Sequence, residues 1–146
     1  MIGRTLRILI LVYLWGALIE DAGLFILSWL APHLWFHYFN GVAPMGLDSA
    51  LLRRCGGQWL AFALAQGITL WRWKKQPVWL AVEAGVRFSD LFTDVSYIVA
   101  SLPSLTTMGW IFFLPPFFLN LLGVVIMLRG YQQARRSEPT GAGAAW

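Results

Sequence analysis

Four ionisable residues inside one apolar stretch carry most of the chemistry this sequence offers. Glu83, Arg87, Asp90 and Asp94 lie in residues 79–101, WLAVEAGVRFSDLFTDVSYIVAS. On a helix turning about 100° per residue, with Glu83 at zero, they fall near 0°, +40°, −20° and +20°. Tyr97 and Ser101 extend the same line. The remaining faces are apolar, so a single charged stripe runs along an otherwise hydrophobic helix. Ionisable groups facing hydrocarbon are costly, so the stripe must point at other protein or at enclosed water.

A second pair of acids, Glu20 and Asp21, interrupts an earlier apolar run. Counted at about 1.5 Å per residue, it lies at the depth of the interval between Asp90 and Asp94. Five carboxylates thus share the interior with one central cation, Arg87. Glu83 and Asp90 are spaced to pair with Arg87 along its own helix. Gln58, Gln66 and Asn120 are candidate hydrogen-bond partners for the acids, and Arg53 or Arg54 could reach Asp94 by snorkelling. Such a cluster can relay protons or cations, line a polar ligand pocket, or act as an ion-pair network that fixes helix register.

His33 and His37, at i and i+4, would share one face of a helix. They are candidate ligands for haem or a chlorophyll-type pigment, or else polar members of an aromatic interfacial segment. No carboxylate at zinc-like spacing completes a metal site with them. The one cysteine, Cys55, excludes an internal disulfide and a cysteine-based metal cluster. Zinc-protease, phosphate-loop, nucleophile-elbow and dinucleotide signatures are missing, and neither Ser89 nor Thr93 has a nearby histidine to activate it. A non-enzymatic protein is expected.

These side chains need elements to hold them. With 58% hydrophobic and 12% charged residues, the 146-residue chain reads as an all-α integral membrane protein. The expected fold is one antiparallel bundle over residues 1–136. Its four transmembrane helices fall at about 6–30, 49–73, 77–101 and 106–133. The first is read as a retained span, because residues 20–23 lack a small-x-small cleavage pattern. Pro32 ends it, and residues 33–40 form a short interfacial helix. Asp48 is the expected N-cap of the second helix, whose Gly57, Ala61 and Ala65 offer a close-packing face. Pro77 begins the third, and Pro115-Pro116 is expected to kink the fourth. Residues 137–146 read as a tail that is flexible or held by a partner.

Four spans place both termini and the 72–77 turn on one side. Arg4, Arg7, Arg72, Lys74, Lys75, Arg129, Arg135 and Arg136 lie there, eight of the eleven basic residues. The positive-inside bias puts that side in the cytoplasm, in the setting of a bacterial inner membrane. Tryptophans 71, 73 and 79 would form the inner aromatic belt, and 29, 35 and 110 the outer one. The formal charge of +4 therefore marks topology and not nucleic-acid binding.

Residues 53–94 resemble the second and third helices of small DoxX-like four-helix membrane proteins. The likeness rests on the Arg53-x-x-Gly56-Gly57 entrance followed by the arginine-bearing third helix. The resemblance implies the same fold and a lipid, quinone or pigment held between helices. The leading functional expectation is a small non-catalytic subunit of a larger membrane complex, photosynthetic or respiratory, with membrane lipid and other subunits as partners. The alternatives are a proton- or cation-coupled transporter using the acidic stripe, working as a homo-oligomer, and a DoxX-like binder of lipid or quinone.

Overall fold

The computed structural model describes residues 2–137, so the expected tail at 138–146 lies outside the described residues. Five helices account for the fold: α1 (Arg4–Leu30), α2 (Pro32–Trp35), α3 (Gly46–Arg72), α4 (Val78–Ser101) and α5 (Thr107–Arg136). A π-helical turn, Phe36–Asn40, continues α2. No strand occurs among the described residues.

Local chemistry explains the breaks. Ala31 precedes a proline, a position from which the helical region is disfavoured, and its φ of −138° and ψ of 53° end α1. Pro32 then opens α2 from the first-turn position that suits it. The π turn stops at Gly41, whose φ of 65° is readily adopted only by glycine. Asp48 is not the N-cap of α3. The helix starts at Gly46, and the Asp48 carboxylate reaches back to accept the Met45 N–H at 2.9 Å. Placed in the first turn, it still answers a free N–H and the positive end of the helix. Thr106 caps α5, accepting from Gly109 N at 3.0 Å while its hydroxyl donates to the Tyr38 carbonyl at 2.6 Å. That second bond ties the α4–α5 turn to the π turn. The Pro115-Pro116 pair lies inside a continuous α5.

Packing is heaviest between α1 and α3 and between α4 and α5, and the pairs meet through α1–α5 and α3–α4 contacts. Two apolar clusters fix the directions. At the base, Ile10 and Leu14 of α1 meet Trp73, Leu80 and Ala84, with Ile126 and Met127 of α5. At the crown, Trp35, Phe39 and Leu52 gather Leu27, Trp59, Tyr97 and Phe113. The start of α1 thus lies with the ends of α3 and α5, and the four long helices alternate in direction.

Two of them, α1 and α5, are long and apolar enough to cross a membrane, and only 22% of the most apolar window of each is buried. Core helices of a water-soluble domain bury most of such a face. Helices α3 and α4 are 27 and 24 residues long but carry more polar and charged groups.

Three expectations about surfaces are corrected. Trp35 and Trp73 are not belt residues: they are 1% and 3% exposed and sit at the heart of the crown and base clusters. The close-packing face of α3 is not Gly57, Ala61 and Ala65, of which the first two are exposed. Gly56 plays that part, since a Cβ there would run into Ser28 Oγ and the Trp29 ring of α1. Arg53 does not descend to Asp94. Its Nε donates to the Trp29 carbonyl at 3.3 Å, satisfying a free acceptor at the end of α1.

Candidate functional site

Between the two apolar clusters lies a polar layer centred on Arg87. Residues 83, 87 and 90 recur at helical spacing and face inward, and all three are buried. The guanidinium uses its forked geometry fully. Nε donates to Glu83 Oε1 at 3.1 Å, Nη2 to Asp21 Oδ2 at 2.6 Å and Nη1 to Asn120 Oδ1 at 3.1 Å. Asp90 Oδ2 lies 3.6 Å from Nη1, and the Phe62 ring of α3 sits 5.6 Å from the guanidinium carbon. Gln66 Nε2 adds a 2.5 Å bond to the same Asp21 oxygen. Each of the four long helices therefore supplies a group to one cation.

Asn120 distributes the contacts. Its carbonyl oxygen accepts from Arg87 while its amide nitrogen donates to Asp90 at 3.1 Å and Asp94 at 3.0 Å. Asp21, Glu83 and Asp90 thus face the guanidinium directly, whereas Asp94 is held by the amide alone. Asp94 is half-buried, and Glu20, also half-buried, makes no hydrogen bond or ion pair with the cluster.

The two sides of this layer differ. Toward the base, four buried polar atoms have no protein partner: Glu83 Oε2, Gln66 Oε1, Thr69 Oγ1 and Trp73 Nε1. Three of them, at Gln66, Thr69 and Trp73, are spaced i, i+3 and i+7 along α3 and its C-cap, and lead into the base cluster, which closes the bundle below. Toward the crown the polar layer opens. A void of about 30 Å³, room for about one water, is bounded by Glu20, Asp21, Arg87, Asp90, Asp94 and Asn120. Asp94, Trp59 and Phe113 also line a much larger cavity of about 540 Å³. Its walls are mostly apolar, and Asn40 and Tyr97 stand near its roof. Trp35 Nε1 donates to Tyr97 Oη at 3.0 Å, and Tyr97 Oη donates to Asn40 Oδ1 at 2.8 Å. Leu51 and Cys55 of α3, Ala100 of α4, and Val42 and Ser104 of the loops are exposed at the rim, so the cavity opens beside α3 and α4 and at the crown.

The sequence-derived candidates are therefore sorted by the fold. Asp21, Glu83, Arg87, Asp90, Asp94, Gln66 and Asn120 come together. Gln58 does not: it is exposed, because eight residues from Gln66 turn it about 80° away from that face. His33 and His37 are exposed at the crown, neither lines the cavity, and His37 stands edge-on to Tyr38 at 5.0 Å. No group of three or more His, Cys, Asp or Glu able to hold a metal occurs among the described residues. The cavity walls from Trp59, Tyr97 and Phe113 share no local sequence pattern, since they come from three different helices. Only Tyr97, on the line of the charged stripe, gave a sequence signal.

Comparison of the chain with family models, with curated proteins and with solved structures finds no match.

Proposed function

We propose that this is a four-span, non-enzymatic membrane protein that binds a small amphipathic molecule between α3 and α4. The observation that carries the reading is the cavity of about 540 Å³ whose aromatic walls lead down to the Arg87 cluster. Its volume falls within the usual range of small-molecule sites, about 300–1,000 Å³. Its opening beside α3 and α4 suits a molecule arriving from the lipid phase. The resemblance of residues 53–94 to DoxX-like proteins covers the two helices that form this opening.

The membrane setting rests on two further supports. Helices α1 and α5 expose apolar surface along their length, and the charged stripe of α4 is turned inward. Basic residues gather at the base, which faces the cytoplasm of a bacterial inner membrane in this reading, so the cavity faces the opposite leaflet.

Cys55 is the one cysteine of the chain and stands at the cavity rim, which makes the test direct. An impermeant maleimide should label Cys55 from outside intact cells. Native mass spectrometry of protein purified in mild detergent should then find a small molecule retained by the parent and lost from Trp59→Ala. A parent that retains none, and whose Cys55 no lipid, quinone or amphipathic amine protects, would refute the reading. Pigment bands with large co-purifying subunits would favour the accessory-subunit reading instead.

A further inference from the structure

We infer that the occupant of the crown cavity is a hydrophobic organic cation, such as an alkyl or aryl ammonium. This rests on the proposed binding function and names its ligand class. Charge complementarity selects it. The residues lining the cavity include two carboxylates, Asp48 and Asp94, and no lysine, arginine or histidine. Asp48 stands near the mouth and is occupied by the Met45 N–H. Asp94 stands at the floor, and its one hydrogen bond comes from the neutral amide of Asn120.

Arg87 does not cancel this charge. Its donors are directed at Glu83, Asp21 and Asn120, with Asp90 at 3.6 Å, so it is already shared among three acids. The void beneath the floor adds Glu20, which makes no ion pair among the described residues. A molecule descending from the mouth therefore meets a growing number of carboxyl groups, with a single, fully engaged cation behind them. An anionic head is repelled there, and a neutral one gains nothing from Asp94 that water does not supply.

The walls fit the same class. Trp59, Tyr97 and Phe113 are half-buried around the cavity, Phe113 packs 4.6 Å from Tyr97, and Trp35 lines the same wall. Aromatic surface beside a carboxylate is a known arrangement for organic cations, which are drawn to ring faces, and for a quaternary ammonium, which has no N–H to donate, ring faces supply what hydrogen bonds cannot. The apolar upper walls take the hydrocarbon body of the ligand, and the opening beside α3 and α4 admits it from the bilayer.

The test uses the full-length protein in detergent, with tetraphenylphosphonium and cetyltrimethylammonium as cationic probes. A short-chain ubiquinone and an anionic fatty acid serve as neutral and negative probes. Binding is read by equilibrium dialysis and by slowed alkylation of Cys55. Both cations should bind and protect Cys55. Asp94→Asn should weaken them by about tenfold or more, Asp94→Glu by much less, and Trp59→Ala by several-fold. Protection by the quinone or fatty acid, with no cation binding, would overturn the ligand class while leaving the binding function standing. Cation binding that is unaffected by Asp94→Asn, in a variant that melts like the parent, would also overturn it. No binding of any probe would remove both.

Discussion

Replacing Arg87 with leucine tests whether the polar layer orders the bundle. The substitution removes the 2.6 Å contact to Asp21, the 3.1 Å contact to Glu83 and the 3.1 Å bond to Asn120 at once. Breaking a buried charge pair by deleting one partner typically costs about 3–5 kcal/mol, because the remaining charge keeps its desolvation penalty. Three acids lose their cation here, which argues for the upper end. Gln66 still donates to Asp21, and Asn120 still donates to Asp90 and Asp94, which moderates the loss. A destabilisation of about 3–4 kcal/mol at neutral pH is expected on that basis. Lowering the pH should narrow the gap to the parent, since protonating the stranded carboxylates removes the uncompensated charge. Arg87→Lys should lose about 1–2 kcal/mol, because an ammonium keeps the charge without the fork that serves three partners. Adding Asp21→Asn to Arg87→Leu should recover part of the loss. The assay is reversible unfolding in mixed micelles followed by tryptophan fluorescence, between pH 5 and pH 8 as a roughly two-sided window around neutrality. An Arg87→Leu protein as stable as the parent at every pH would show that the cluster does not hold these helices together.

Reporter fusions at the C-terminus and at Gly41 should report opposite sides of the membrane, and the same side for both would exclude four spans. Replacing His33 and His37 together by alanine should shift stability by no more than about 0.5 kcal/mol, as for other exposed positions. A loss above about 2 kcal/mol in the isolated protein would mean that the histidines anchor the crown after all. Gly56→Val and Gly57→Val, one residue apart, should part company. The first forces α1 away from α3 and should cost at least about 1–3 kcal/mol, whereas the second projects from an exposed position and should cost little. Equal losses in thermal unfolding would contradict the α1–α3 contact.

The helices and the charged cluster were legible in the sequence to different degrees. Apolar runs and prolines located the four long helices, because those signals are local. The inward stripe of α4 was legible for the same reason, since one helical period is enough to align residues 83, 87, 90 and 94. Asp21 could be matched to Arg87 by depth, but depth alone did not separate it from Glu20, which lines the same void without bonding to the guanidinium. The choice depends on the rotation of α1, which packing at Ile10 and Leu14 determines. Gln58 against Gln66, and Gly57 against Gly56, failed likewise: small and polar residues on α3 suit several faces, and only the seating of Ser28 and Trp29 chooses one. The cavity left no local trace because its wall is assembled from α2, α3, α4 and α5. Trp35 looked like a belt residue for lack of any signal that the short α2 folds back over the bundle.

If all four long helices span a membrane, as proposed, the charged stripe also bears on how the chain enters it during synthesis. Placing Arg87 and Asp90 near the middle of a lone helix costs roughly 5–7 kcal/mol on the insertion scale, and Glu83 and Asp94 add to it. The apolar residues of α4 return only about 0.3–0.6 kcal/mol each, so this helix is a poor candidate for independent release into lipid. Its partners are ordered favourably along the chain. Asp21 and Gln66 lie upstream, on the α1–α3 pair that packs most closely, and are made before Arg87 leaves the ribosome. Asn120 lies downstream, so Asp94 stays without its amide until α5 arrives. A nascent chain that stalls after Ser101 therefore presents a half-neutralised helix to the insertion and surveillance machinery, and one that reaches Arg136 does not.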